Sequence, residues 1–248
     1  MDALRVVVSG ASGRMGTAAC AAVEASDDLV LVGRLGRGDD PSAALAGADV
    51  LVDLSVPASS PALVAAAVEA GVHAVVGTTG WDDARLATLR EQLGGAPSVG
   101  VLVAPNFSVG ALLVTAFAVR AARFFESVEV LELHHPDKVD APSGTAVRTA
   151  RLVAAARAEA GVGPAPDATT ASLPGSRGAD VDGVPVHSVR LRGLVASQEV
   201  LLGAQGETVS LRHDSIDRSS FMPGVLLAVR QVGSHPGLTV GLEHWLDL

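Results

Sequence analysis

LRVVVSGASGRMG, residues Leu4 to Gly16, runs from an unbroken apolar segment through a glycine turn into a stretch, Arg14 to Ala25, that can continue as a helix. A strand without polar alternation is buried on both faces, as the strands of a parallel sheet are. Gly10, Gly13 and Gly16 fall between strand and helix, with the spacing GxxGxxG rather than GxGxxG. Unpaired amides at a helix start and the helix dipole both favour an anion, and glycine lets the backbone approach it. In this position the turn predicts a dinucleotide pyrophosphate site, with a plain tight turn as the alternative.

The same pattern repeats through the first hundred residues. Apolar runs at Leu29 to Gly33, Val50 to Leu54, Ala74 to Val76 and Val99 to Ala104 are separated by Ala-rich helical stretches such as Ala62 to Ala70 and Asp82 to Leu93. Such repeated units predict an α/β chain with a Rossmann-like, doubly wound parallel sheet. After Phe107 the pattern changes. A helix over about Val109 to Phe125, a strand at Ser127 to Leu133 and a helix from about Thr145 to Ala160 are followed by a Pro/Gly/Asp-rich loop, Gly161 to Pro185. That loop is too long for a simple connection and suggests a lid, a partner contact or disorder. Alternating segments then begin at Val186, Ala196 and Glu207 and predict a mixed or antiparallel open sheet in a C-terminal α+β domain. A helix near Met222 to Val232 and a strand near Leu238 to Leu242 look like the first half again. The expected division is residues 1–106 with 216–248 for the dinucleotide, and 107–215 for substrate binding and oligomerisation.

Composition narrows the partners. The 248 residues are 48% hydrophobic, with a formal charge of -9, no tyrosine and few other aromatics. No local basic patch offsets that charge and base-stacking surfaces are scarce, so nucleic acid is not an expected partner. Cys20 is the single cysteine; with no internal disulfide possible and no signal peptide before the first strand, a cytoplasmic location is expected. The uncharged run from Gln92 to Val119 is long enough for a membrane span, but its prolines, glycines and Asn106 break it into strand, turn and helix.

ELHHPDKVDAPSGTA, Glu132 to Ala146, gathers two adjacent histidines, the only lysine of the chain and a Pro-Ser-Gly-Thr turn. Neighbours on a strand point to opposite faces, so His134 and His135 are poorly placed to chelate one ion, and no further histidine or cysteine cluster completes a metal site. APSGTA can start a helix with Ser143 or Thr145 near the cap, leaving the amides of Gly144 and Thr145 free for a carboxylate. Lys138 supplies a cation, and one of the histidines can deliver a proton near neutral pH. Together these predict reduction of a small unsaturated carboxylate, with Lys138 on the same or a second anionic group.

The second strand of a dinucleotide fold normally ends in an acid that binds the adenosine ribose. Here that position is Gly36, flanked by Arg34 and Arg37, with Asp39 and Asp40 close behind. Arg37 beside Gly36 can meet a 2'-phosphate, which tilts the expected cofactor towards NADPH without excluding NADH.

With GASGRMG, VVGTTG from Val75, APNFSVGA from Ala104, the Glu132 to Ala146 motif, RGADVDGVPVHSVRLRGLVASQEV from Arg177 and RSSFMPGVLLAV from Arg218, the chain resembles the 4-hydroxy-tetrahydrodipicolinate (dihydrodipicolinate) reductases along essentially its full length. The resemblance implies NAD(P)H-dependent hydride transfer to C4 of the substrate ring, in the diaminopimelate branch of lysine synthesis, by a homotetramer. It implies that His134 is the general acid, His135 a substrate contact, and Lys138 a substrate-binding residue and second candidate proton donor. Ser143, Gly144 and Thr145 would form the substrate carboxylate site. Gly10, Ala11, Ser12, Gly13, Arg14 and Met15 would surround the pyrophosphate, while Gly77, Thr78 and Thr79, with Ala104, Pro105, Asn106 and Phe107, would border the nicotinamide. Gly36 departs from the acid usual in that family. A related amino-acid dehydrogenase, tested by turnover of free amino acids, would leave the histidine and lysine motif without a purpose. A non-catalytic NAD(P)H sensor would have no need of His134 or Lys138.

Overall fold

A computed structural model describes residues 3–95 and 97–246. It divides into two compact units, one formed by the residues up to Val109 together with those from Arg218 onward, the other by Gly110–Asp217.

The first unit is a parallel sheet with helices between its strands. Its elements are β1 (Leu4–Ser9), α1 (Arg14–Glu24), β2 (Leu29–Leu35), α2 (Pro41–Leu45), β3 (Val50–Asp53), α3 (Ser60–Glu69), β4 (His73–Val76), α4 (Asp83–Leu93) and β5 (Gly100–Val103). The second unit contributes α5 (Val109–Ala121), whose first residue belongs to the first unit, then β6 (Ser127–His134), α6 (Gly144–Glu159), β7 (Ala179–Val181), β8 (Val184–Arg190), β9 (Ala196–Ala204) and β10 (Glu207–Ser215). The chain closes with α7 (Met222–Gln231) and β11 (Gly237–Val240). In the first sheet the order is β11-β5-β4-β3-β1-β2, and every pairing is parallel.

The apolar runs form the centre of that sheet because both of its faces are covered. Val6, Val7, Val8, Leu51, Val52, Val75 and Leu102 have no exposed surface; full burial of one such side chain contributes roughly 1.5–3 kcal/mol. β1 lies between β2 and β3, so the strand order reverses beside it. Doubly wound sheets bind ligands outside the carboxyl ends of their strands at that reversal.

The second sheet is mixed, in the order β10-β9-β6-β8-β7, with β6 and β8 parallel and the other pairs antiparallel. Val128, Val130, Val200 and Leu202 point into the core that includes Val114 and Ala118 of α5 and Ala146, Ala150 and Val153 of α6. Arg157 is buried at the far end of α6, where its guanidinium donates to the carbonyls of Phe125, Glu126 and Gly163 at 2.6, 2.8 and 3.0 Å.

Two segments depart from the sequence expectation. The supposed loop from Gly161 to Pro185 contains β7 and the start of β8, joined by Asp182 and Gly183, both at positive φ (52° and 83°). An Asp-Gly pair in that conformation turns a tight hairpin. Arg177 ties the preceding stretch down through Glu129 (2.5 Å) and Asp167 (3.2 Å). The short helix α2 was also not expected; Pro41 opens it, and the Asp40 carboxylate caps it by accepting from the Ser42 amide at 3.0 Å. The uncharged run at 92–119 is divided among the end of α4, β5 and α5. Among the described residues no helix is long and apolar enough to cross a membrane.

Candidate active site

In the first unit, every residue expected at the cofactor follows the carboxyl end of a strand. Gly10 turns the chain out of β1 at a φ of 68°, and its amide donates to the Leu35 carbonyl at the end of β2 (2.9 Å). Gly13 is the N-cap of α1 and has no side chain to cap it, so the opening amides of that helix meet no side-chain acceptor. Its own amide is already used, donating to the Gly10 carbonyl at 2.9 Å. A Cβ on Gly10 would lie 2.3 Å from the Leu54 carbonyl oxygen, and one on Gly16 would lie 2.1 Å from that of Gly10. The loop is therefore a closely built, uncapped helix start, which fits the pyrophosphate of a dinucleotide.

Gly77 and Thr78 follow β4. A Cβ on Gly77 would strike the Phe107 ring at 2.5 Å, and the Thr78 hydroxyl donates to the Asp53 carbonyl at 3.3 Å. Phe107 is buried, so its ring acts by packing against Gly77. Beyond β5, the Asn106 side chain accepts from the Ser108 amide at 2.8 Å and shapes the segment that starts with Ala104 and Pro105. Sequence reasoning missed Asp53. It is fully buried at the end of β3, where its carboxylate accepts from Ser9 (2.6 Å), the Ser55 amide (3.0 Å) and Ser60, whose hydroxyl also accepts from Trp81 (3.0 Å). This network joins the end of β1 to the start of α3.

At the end of β2 the Asp39 carboxylate accepts from the Gly36 amide at 2.8 Å, so an acid is present there although the strand itself ends without one. Arg34 is turned back onto Glu24 (2.5 Å). Arg37 is exposed and makes no hydrogen bond or ion pair among the described residues.

In the second unit, β6 carries Glu132 and His134 on one face, two residues apart. Glu132 has no exposed surface. Its carboxylate takes Nδ1 of His134 at 2.5 Å, both terminal nitrogens of Arg190 at 2.8 and 2.9 Å, and the Ser143 amide at 3.2 Å. Burial opposes the charge, but hydrogen bonds from Arg190, Ser188 and His134 outweigh it and hold the carboxyl below the usual carboxylate range. For His134, burial pushes the imidazole below its ordinary value; Glu132 acts against that shift, while Lys138 and Arg190 add to it.

The turn that follows brings the lysine to the helix entrance. Ser143 caps α6 by accepting from the Ala146 amide at 3.2 Å, which decides between the two candidate caps. Asp140 lies between the two groups expected to hold an anion: one carboxylate oxygen takes Lys138 Nζ at 2.7 Å and the other the Gly144 amide at 3.3 Å. The cation and the helix entrance thus converge on a single carboxylate, supplied by the chain itself. Arg190 closes the cluster by donating to the Asp140 carbonyl at 2.6 Å. Thr145 is half-buried in the first turn of α6, and the backbone carbonyl of His135 holds the turn by accepting from the Lys138 amide at 3.3 Å.

Sequence reasoning passed over Glu132, Asp140 and Arg190. The two acids stand inside the motif itself. Arg190 is brought to His134 only by the parallel register of β6 and β8, in which those two residues are partners.

Family models of the N-terminus and the C-terminus of dihydrodipicolinate reductase match residues 4–107 and 110–246. The chain belongs to the dihydrodipicolinate reductase family. Among its relatives, the 4-hydroxy-tetrahydrodipicolinate reductases of Streptomyces griseus and Streptomyces coelicolor are 64% and 62% identical, each over 100% of both chains. A dipicolinate-bound dihydrodipicolinate reductase from Paenisporosarcina sp. TG-14 has the same fold, with a TM-score of 0.85 and 34% identity over 98% of this chain and 100% of that one. A probable dehydrogenase from Thermotoga maritima, at 13% identity and a TM-score of 0.64, shares the fold alone. The glycine loop lies in the part matched by the reductase N-terminal model, and the His134 and Lys138 cluster in the part matched by the C-terminal one.

Proposed function

We infer that this chain reduces 4-hydroxy-tetrahydrodipicolinate to tetrahydrodipicolinate with NAD(P)H in the diaminopimelate branch of lysine synthesis. The observation that carries the reading is the convergence of Lys138 Nζ and the Gly144 amide on one carboxylate, that of Asp140, close to His134. A dicarboxylate substrate brings such a group, and one relative is described as dipicolinate-bound.

When bound, NAD(P)H supplies a hydride to C4 of the ring. Loss of the substrate hydroxyl as water leaves a conjugated ring; hydride at C4 then leaves an electron pair at the neighbouring carbon, which takes its proton from His134. Lys138 and the start of α6 hold a ring carboxylate in place of Asp140, with Gly144 and Thr145 presenting their amides. Ser143 serves as the cap that keeps that entrance open. In a coupled assay, pyruvate and aspartate semialdehyde condensed by the preceding synthase generate the substrate, and loss of nicotinamide absorbance reports turnover. No oxidation of either nucleotide would overturn the assignment.

For the cofactor, Gly36 and Arg37, which has no partner among the described residues, favour NADPH, while Asp39 keeps an acid at the end of β2 and so preserves a use for NADH. NADPH is expected to bind at least as tightly as NADH, and Arg37→Ala to weaken NADPH alone. Fluorescence titration of both nucleotides tests this; NADH binding about tenfold more tightly, a difference of roughly 1.4 kcal/mol, would refute it.

Lys138→Arg keeps the charge but replaces a compact ammonium by a planar fork that cannot meet the Asp140 carboxylate, or a substrate carboxylate in its place, in the same way. The variant is expected to lose at least about tenfold in kcat/KM, chiefly through KM, as steady-state kinetics would reveal. Parent-like constants would remove the need for an amine at this position.

The homotetramer implied by the family would use the open face of the second sheet. Leu131, Leu133 and Leu201 alternate with the core residues of β6 and β9 and so point away from α5 and α6. A cytoplasmic location accords with a biosynthetic reductase.

A further inference from the structure

We propose that Glu132, paired with Arg190, is a positioning residue of the reduction: it holds His134 as the Nδ1–H tautomer, so that Nε2 is the nitrogen that hands over the proton, and it anchors the substrate helix by the same carboxylate. The proposal rests on the reading of His134 as the general acid.

Three observations lead to it. First, the carboxylate is full. One oxygen takes Arg190 Nη2 and the Ser143 amide, the other Arg190 Nη1 and His134 Nδ1. An ionised carboxylate only accepts, so the ring nitrogen facing it must carry hydrogen, and in the neutral ring that leaves Nε2 with the lone pair. Second, Arg190 neutralises Glu132 from the neighbouring strand. An unpaired buried carboxylate would hold the ring as imidazolium and resist proton release. With Arg190 on β8 and Lys138 on the following turn also facing the ring, His134 can both gain and lose the proton. Third, Glu132 binds the amide of Ser143, the cap of α6, while Arg190 binds the carbonyl of Asp140. The proton donor and the carboxylate site are therefore tied to one buried group.

Two measurements on the full chain test this. In the parent protein, nitrogen NMR of the imidazoles, with His134 assigned by its loss in His134→Gln, is expected to show the neutral ring protonated at Nδ1; protonation at Nε2 would overturn the proposal without any change at Glu132. Glu132→Gln sets an amide NH₂ against donors in either orientation. It is expected to lower kcat about tenfold to hundredfold, to raise KM as the Ser143 anchor of the substrate helix is weakened, and to move the His134 limb of the pH profile to lower pH, because the group that favours imidazolium is gone. Since the single change leaves Arg190 buried and unpaired, Glu132→Gln with Arg190→Met is measured beside it, with thermal unfolding as the check on folding. Loss of rate in His134→Gln combined with a parent-like rate and pH profile in the folded double variant would sink the positioning role alone. A parent-like rate in His134→Gln itself would sink the acid assignment beneath it.

Discussion

His134→Gln is expected to lower kcat by about 10²–10⁴-fold while leaving KM within a few-fold of the parent. Glutamine fills much of the imidazole's space, and its amide NH₂ can donate to Glu132 in place of Nδ1, so the buried carboxylate keeps its partners and the fold should hold. What it lacks is a second nitrogen able to carry a proton. The pH dependence separates this loss from a structural one. A general acid works in its protonated form, and burial lowers the pKa of His134 from its ordinary value. The parent rate should therefore fall as pH rises through that lowered value, and the limb should vanish in the variant. Initial rates across the range from acid to mildly alkaline pH, with thermal unfolding as a control, decide the matter. A variant within about threefold of the parent, or one that keeps the same limb, would assign the proton to another group, with Lys138 the nearest candidate.

The parts of this molecule that sequence reasoning reached are those in which a short stretch settles its own structure. Val6 to Val8 and Val50 to Val52 read as buried parallel strands because burial on both faces requires no alternation. Gly10 to Gly16 reads as a glycine turn from strand into helix because its glycines end the apolar run of β1, and α1 follows it directly. The Ser143 cap was legible to within two residues. Partners set by register between distant segments were not legible. Arg190 meets Glu132 and His134 because β8 lies parallel to β6, with 58 residues between Glu132 and its guanidinium partner. Spacing within the motif gives no hint that Asp140 would lie between Lys138 and Gly144, since that contact depends on how the turn before α6 closes. Other signals were present and underread. Asp182-Gly183 between Val181 and Val184 marks the hairpin of β7 and β8, and Asp40 before Pro41 marks the start of α2. At the end of β2, absence of an acid at Gly36 did not mean absence of an acid in space, because Asp39 returns to the Gly36 amide.

The other large effect is expected at Gly16, within the stretch that fixes the fold. Gly16→Ala should weaken NADPH binding by at least about 100-fold and lower stability by about 1–3 kcal/mol, the usual cost of forcing extra volume into a packed interior. The new Cβ would stand 2.1 Å from the Gly10 carbonyl oxygen, 2.7 Å from its carbon and 2.8 Å from Cα of Ala11. All three are backbone atoms of the turn, so no side chain can move aside, and α1 must shift away from β1. That shift displaces the helix start from the loop that would cradle the pyrophosphate, which is why binding should suffer more than stability. Helix propensity works in the opposite direction, since alanine inside a helix is favoured over glycine by about 1 kcal/mol. A net loss would therefore isolate the close approach as the cause. Gly13→Ala is the internal comparison: Gly13 has an ordinary φ of -75°, and its Cβ would lie 3.1 Å from the same oxygen, so a small displacement suffices. Nucleotide titration and thermal unfolding of the two variants should rank Gly16→Ala well below Gly13→Ala in both affinity and midpoint. If they rank equally, the third glycine of the motif is not required by close packing of helix on turn. The cradle would then depend on the uncapped amides alone.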